Sequence, residues 1–335
     1  MTPLLSATQT AARRTLPLAL CLAAAGCSGP QSALDPAGRE AETVAHLFFV
    51  MTIGGAVIWL AVIALAVYAG GFKQRTLSEE TGQRLILWGG AVVPTLILAA
   101  LLAYALWLMP DLRPWTREAM AEGGVKGHVT AEQYWWRVRM EGPGGPVESA
   151  NELIVPVGQR VDLTLTSPDV IHSFWIPALA GKIDMIPGRT NRITLRADRP
   201  GVYRGVCAEF CGESHALMAF TVRAVPPQEH AALAAAEARP AAVTSGEGLR
   251  LFLEKGCAAC HAIRGTEARG GVGPDLTHVG SRPTIAAATL PNDQASRERF
   301  LRNPDAVKPG VRMPGYDMLP PAEIETLARF LGDLK

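Results

Sequence analysis

The sequence predicts a multidomain membrane protein: a two-helix transmembrane hairpin, then an all-β domain, then an all-α domain. Three observations carry this. Long apolar stretches occupy residues 44–71 and 85–110, short alternating segments punctuated by Gly and Pro fill 125–225, and residues 245–335 place helices around a Gly/Pro-rich middle. Composition agrees. Only 19% of the 335 residues are charged, and the mean hydropathy of +0.15 is unusual for a soluble protein. At roughly 150 residues per domain, the length allows about two domains plus membrane segments. A net charge of +1, from 32 basic and 31 acidic residues, excludes a strongly basic nucleic-acid binder and an acidic-tail protein.

At the N-terminus, Arg13 and Arg14 precede the apolar run Leu16 to Ala25, followed by Gly26 and Cys27. A basic region, a short apolar core and small residues describe a signal peptide over 1–26. A Cys directly after Ala-Gly is similar to a bacterial lipoprotein cleavage site, which would make Cys27 the acylated mature N-terminus. Residues 27–42 are then an extracytoplasmic N-terminal segment.

The hairpin spans 43–110. Val44 to Gly71 carries His46 as its only ionisable residue besides Tyr68, and Leu85 to Pro110 has no Asp, Glu, Lys, Arg or His. Each exceeds the ~20 residues that cross a ~30 Å hydrocarbon core. Trp59, Tyr68, Trp88, Tyr104 and Trp107 lie in or near the ends, as interface anchors do. Pro94 predicts a kink in the second helix. Lys73, Arg75 and Arg84 place the connecting loop in the cytoplasm, so everything after 110 is extracytoplasmic.

The β domain is expected over 111–225. Tyr134 to Met140, Glu152 to Val155, Arg160 to Thr166, Arg192 to Arg196 and Ala219 to Val225 alternate, with turn residues between them. About seven short strands predict a sandwich or barrel. Residues 226–244 are Ala/Pro-rich and read as a linker with room for a short helix. The all-α domain occupies 245–335, with helices over Gly246 to Leu253 and Pro321 to Leu334.

The densest chemical pattern is Cys207-Ala-Glu209-Phe-Cys211-Gly-Glu-Ser-His215-Ala-Leu-Met218, with His172 upstream. Thiolate, imidazole and thioether form a soft set that suits copper far better than magnesium or calcium. Two thiolates four residues apart can bridge two metals, leaving one His and one weak ligand for each. Cys207, Cys211, His172, His215, Met218 and the Glu209 carbonyl supply six ligands. A disulfide or a Cys₂His₂ zinc site is the alternative.

Cys257-Ala-Ala-Cys260-His261 is a haem c attachment signature. The cysteines add to the haem vinyl groups and His261 ligates iron; a redox dithiol or half a zinc site is the alternative. Gly273-Pro274-Asp275-Leu276 resembles the loop supporting the proximal His in class I cytochromes c. Lys308-Pro-Gly-Val-Arg-Met313-Pro314 looks like that family's Met loop, making Met313 the expected sixth ligand and Met318 and His278 its rivals. His/Met ligation raises the potential, which suits electron delivery. All six cysteines then have a place, with none left for a disulfide.

Residues 40–225 resemble cytochrome c oxidase subunit II throughout: the hairpin, His172-Ser173-Phe174, Asp184 to Arg189, Pro200-Gly201 and the 207–218 loop match in order. The resemblance implies a cupredoxin fold carrying a binuclear mixed-valence copper centre (CuA). It also implies two roles for Glu209, its carbonyl on copper and its carboxylate on a magnesium ion shared with subunit I. Tyr134-Trp135-Trp136 matches the family's aromatic stretch beside the copper, whose first position is usually a Trp proposed to receive electrons from a soluble cytochrome. Tyr134 departs from it, which argues against direct delivery there, and Trp136 reads equally as strand packing. Many members carry a Glu at the start of the second helix. Here Leu85-Ile86-Leu87 stands there, and no role passes to the nearest acids, Glu79 and Glu80.

The implied protein is subunit II of a bacterial haem–copper terminal oxidase with a C-terminal fused class I cytochrome c domain. It belongs to an oxidoreductase complex in the plasma membrane, with both domains on the periplasmic side. Electrons pass from cytochrome c or a cytochrome bc complex to the covalent haem, to copper, and to haem in subunit I, where O₂ is reduced to water. Subunits I and III and membrane lipid are the expected partners; nucleic acid is not. A CuA-containing subunit of a nitric oxide reductase and a membrane-tethered electron shuttle use the same modules, whereas intact copper ligands argue against a quinol oxidase. A flexible 226–244 tether would hold the haem near the copper at an effective concentration of order millimolar.

Overall fold

The computed structural model describes residues 27–71, 78–109, 124–142 and 144–335. The expected signal peptide at 1–26 and the loop cations Lys73 and Arg75 lie outside the described residues.

Two helices have the length and apolarity to cross a membrane: α1, Arg39–Gly71, and α2, Glu79–Leu108. Helix α1 begins inside the segment expected to precede the hairpin, because its first turn is fastened to the β domain. Glu40 Oε2 accepts from the Arg196 N–H (2.9 Å) and Ala41 N donates to the Leu179 carbonyl (3.3 Å). Gly38 is required there, since a Cβ would lie 2.5 Å from the Leu179 oxygen. In α2 the chain widens into a π turn, Trp88–Val92, directly before Pro94, with Val93 N bonded to the Trp88 carbonyl. Proline has no N–H and its ring crowds the preceding turn, and the π turn is where the helix accommodates it.

The β domain has ten strands, more than the seven or so expected: β1 Val125–Glu132, β2 Trp135–Gly142, β3 Gly145–Ala150, β4 Glu152–Pro156, β5 Val161–Thr166, β6 His172–Trp175, β7 Ile183–Met185, β8 Asn191–Leu195, β9 Gly201–Cys207 and β10 Ala219–Val225. They form two five-stranded sheets, ordered β3-β2-β1-β5-β8 and β4-β10-β9-β6-β7. The strands that alternation did not reveal are short, rich in Gly, or buried on both faces. β6 is His-Ser-Phe-Trp, and β9 contains Gly205, where a Cβ would meet the Phe220 ring at 2.1 Å. Phe174 and Phe220 stack at 4.7 Å between centroids, with Trp136 packed on both at 5.6 and 5.0 Å. This aromatic cluster is buried beneath the strand ends that carry His172 and Cys207.

Most of the expected linker is helix α3, Pro227–Glu237, with Pro in its first turn. Its end is tied to the C-terminal domain. Arg264 Nη2 donates to the Glu237 carbonyl (2.6 Å), Ala241 N donates to the Arg264 carbonyl (2.9 Å), and Ala241 is buried. The picture of a haem domain on a loose tether is therefore corrected: the segment is an ordered strap. The C-terminal domain contains α4 Glu247–Glu254, α5 Gln294–Arg302, α6 Pro304–Val307 and α7 Pro321–Asp333, with a ribbon of β11 Thr284–Ile285 and β12 Leu290–Pro291. Helix α5 had no apolar stripe to announce it. Only Leu301 is buried, and its local signal is the Asp293 cap, which accepts from Ser296 N (2.7 Å). Further bonds join the two domains, including Arg264 Nη1 to the Glu148 carbonyl (3.2 Å) and Arg137 Nη2 to the Gly271 carbonyl (2.8 Å).

Candidate functional site

The β9–β10 loop and the start of β6 bring the sulfur and nitrogen donors expected from the sequence to one point. Cys207 Sγ lies 3.9 Å from Cys211 Sγ, 3.8 Å from His172 Nδ1 and 3.2 Å from the Glu209 carbonyl oxygen. Cys211 Sγ lies 3.7 Å from His215 Nδ1 and 3.9 Å from Met218 Sδ. Each sulfur therefore has one imidazole beside it, and the weak donors divide between them. Cys207, Cys211, His172 and Met218 are buried, while the Glu209 side chain is exposed beside them.

Residues outside the expected set hold this geometry. His172 presents Nδ1 to Cys207 because Nε2 lies 2.9 Å from Asp169 Oδ1. Burial disfavours the imidazolium, yet the Asp169 and Cys207 contacts outweigh it and raise the His172 pKa. Burial likewise opposes ionisation of Asp169, but hydrogen bonds from His172 and the N–H groups of Gln133 and Val170 hold its carboxyl down at about 2. Gln133 Nε2 donates to the Cys211 carbonyl (2.6 Å), and Glu213 N donates to the Tyr134 hydroxyl (3.1 Å). Gly212, at φ +126°, leaves room for that phenol; a Cβ would lie 2.4 Å from its oxygen. The signal for Asp169 was its place three residues before His172. Gln133 carried no signal, because its reach depends on the fold.

The two thiols share a proton across their contact. Cys207 is held well below the usual thiol range, first by its hydrogen bond with Cys211, and the same contact pushes Cys211 up. Paired thiols with imidazoles and a thioether arrayed around them match the donor chemistry of a binuclear copper site.

A second centre lies in the C-terminal domain. Cys257 and Cys260 flank a single turn, with Cys257 half-buried and Cys260 exposed. His261 Nδ1 lies 2.8 Å from the Pro274 carbonyl, which fixes that nitrogen as the donor and leaves Nε2 with its lone pair. Burial lowers the His261 pKa, keeping the ring neutral. Gly273 is the floor beneath it, since a Cβ would come 2.6 Å from the ring. Leu276, Ile285, Met313, Tyr316 and Leu319 stay only partly buried against the helical core, an open apolar wall of the kind a haem plane would complete. Met313 belongs to that wall. Met318 is 73% exposed, and His278 Nε2 is turned to the Arg239 carbonyl at 3.0 Å.

The aromatic stretch is mostly interior. Tyr134 and Trp136 are buried, and only Trp135 is half-exposed, with the Arg137 guanidinium 4.7 Å from its ring centroid. Cys27 is exposed, and its carbonyl accepts from Ser32 Oγ (2.8 Å).

Two family profiles match the chain: cytochrome c oxidase subunit II, periplasmic domain, over residues 139–225, and cytochrome c over residues 245–335. Cytochrome c oxidase subunit 2 of Alkalihalophilus pseudofirmus is 33% identical over 342 residues, covering 97% of this chain and 97% of the relative. That of Bacillus subtilis is 32% identical over 337 residues, covering 92% and 94%. Among solved structures, the periplasmic domain of subunit II of cytochrome oxidase from Bradyrhizobium japonicum is 31% identical, covering 34% of this chain and 92% of that one, with a TM-score of 0.32.

Proposed function

This chain belongs to the cytochrome c oxidase subunit II family, and from that membership we propose how its residues serve the electron path. It is a membrane-anchored subunit of a haem–copper oxidase, with a cupredoxin-like domain for CuA and a fused cytochrome c domain for haem c, both on the periplasmic side. The observation that carries the reading is the convergence of Cys207, Cys211, His172, His215, Met218 and the Glu209 carbonyl.

When bound, the copper pair and the haem supply one-electron redox chemistry. The protein's part is to hold donors in place. Cys207 and Cys211 bridge; His172 and His215 each take one side; Met218 and the Glu209 carbonyl add weak bonds that tune. Asp169 fixes the His172 ring, so that only Nδ1 faces the sulfurs. A buried, pre-set donor cage leaves little to rearrange when the charge changes. Cys257 and Cys260 attach the haem, His261 Nε2 ligates one face, and Met313 the other, supported by its place in the apolar wall. The exposed Glu209 carboxylate is free to meet magnesium at the contact with subunit I.

The finer assignments have local support. The domain boundaries at 111–225 and 245–335 follow the two cores, with 226–244 a strap between them. The signal peptide at 1–26 and acylation of Cys27 rest on the sequence pattern, as do subunit III, a cytochrome c or bc complex as donor, and the bacterial plasma membrane. Buried Tyr134 argues for delivery of electrons to the haem rather than directly to copper.

The test is isolation of the chain from its native membrane through a C-terminal tag. Two coppers and one covalent haem per chain, a co-purifying multi-haem membrane subunit and O₂ uptake are expected. A lone chain without copper would overturn the reading.

A further inference from the structure

Two loops of the haem domain grip the copper loop on either side of Met218. The carbonyl of Leu217, one residue before it, accepts from Lys308 Nζ at 3.0 Å and from Thr289 Oγ1 at 3.1 Å. The N–H of Ala219, one residue after it, donates to the Ala287 carbonyl at 3.2 Å. The grip is built rather than incidental. Lys308 is 2% exposed, and its ammonium also donates to the Tyr134 carbonyl at 2.6 Å. Ser214, fully buried within the copper loop, donates to the Pro309 carbonyl at 2.7 Å. Val311 then packs against the core of the β domain, while Met313, two residues on, packs against the helical core.

The second loop is held in an uncommon shape. Ala286, Ala287 and Ala288 all lie in the left-handed region, at φ 53°, 56° and 57°. For a residue with a Cβ this conformation costs roughly 1–2 kcal/mol. Three in succession persist only where surrounding contacts enforce them. Here the turn delivers the Ala287 carbonyl to Ala219 N and the Ala288 carbonyl to Arg204 Nη1 at 3.3 Å. Both bonds are to the copper domain.

We propose that Lys308 and Thr289 are positioning residues for the copper centre: from the haem domain they fix the backbone at Leu217, and with Ala287 at Ala219 they set where the Met218 thioether sits. This rests on the reading of Met218 as a copper ligand. A thioether is a weak donor whose distance tunes a copper potential rather than holding the metal. Backbone fastened at both neighbours leaves that distance to the docked haem domain. The potential of the centre that accepts the electron is thereby tied to the domain that delivers it.

The test compares Lys308→Met with Thr289→Val, Lys308→Arg and Met218→Leu in the complex isolated from membranes. Copper and haem content establish that each variant is assembled. The first readout is amide exchange at Ala219, which reports the grip without any redox activity. Losing buried hydrogen bonds at its neighbour should speed it about tenfold in the double variant. The second is the copper spectrum and potential, which should move in the double variant in the same sense as in Met218→Leu, with the haem potential unchanged. Lys308→Arg, which keeps the donors, should restore both. If Met218→Leu moves the copper signals and the double variant does not, the positioning role is wrong and the ligand survives. If Met218→Leu moves nothing, the ligand reading falls and takes the positioning role with it. Should Lys308→Met fail to assemble, Thr289→Val alone decides by the same comparison.

Discussion

The sulfurs of Cys207 and Cys211 lie 3.9 Å apart with His172 beside the first and His215 beside the second. This arrangement divides the donors between two metals, and removal of either sulfur should undo both. Cys207→Ser and Cys211→Ser are each expected to reduce copper from two atoms per chain to one or none. Met218→Leu should keep both atoms and shift their potential. Metal analysis of the isolated complex checks this, and two coppers retained in Cys211→Ser would contradict it.

The His261 ring rests on Gly273, and its Nδ1–H bonds to the Pro274 carbonyl. Gly273→Ala should push the ring off that seat, because the added Cβ would lie 2.6 Å from it. Mass analysis should still find haem attached through Cys257 and Cys260, while the visible spectrum loses its six-coordinate character. An unaltered spectrum would show that the loop yields instead.

Met313 and Met318 separate by the same spectroscopy. Met313→Ala should lower the haem potential and leave copper loading intact, since loss of the thioether removes the ligand that raises it. Met318, 73% exposed, should be replaceable without effect. The reverse pattern would reassign the sixth ligand.

Gly205 lies under the Phe220 ring, against which Trp136 and Phe174 also pack. Gly205→Ala overfills that core and should cost about 1–3 kcal/mol of β-domain stability. Thermal release of copper from the complex should move to lower temperature. No change in the release temperature would mean that the sheet opens without strain.

Much of this was legible in the chain. Soft donors at Cys207, Cys211, His215 and Met218 sit within twelve residues, so their convergence needed only one loop and the upstream His172. The haem attachment residues are adjacent and needed no fold at all. The membrane helices announced themselves because lipid tolerates almost no charge over so long a run. What stayed hidden depends on tertiary contact. Gln133 reaches Cys211 across 78 positions, and Lys308 reaches Tyr134 across 174. A lysine is ordinarily a surface residue, and nothing local marks this one as an interdomain peg. Helix α5 was missed because a polar helix buries only Leu301, and the strap at 226–244 because Ala-rich segments carry no face to read.

Topology has its own test. A membrane-impermeant maleimide should label a Glu267→Cys variant in intact spheroplasts, and Ser78→Cys only after permeabilisation, because residue 267 lies in the haem domain and residue 78 precedes α2 on the loop side. The opposite pattern would invert the hairpin.

The central claim is that electrons enter at the covalent haem and pass to copper. Oxygen uptake by the isolated complex with reduced cytochrome c tests it most directly, comparing the wild type with the Cys257→Ala/Cys260→Ala variant. With Tyr134 buried beneath the Lys308 loop, the account predicts near-complete loss of uptake while copper stays loaded. Unchanged uptake in the haem-free complex would contradict it, showing that copper takes electrons directly from the donor.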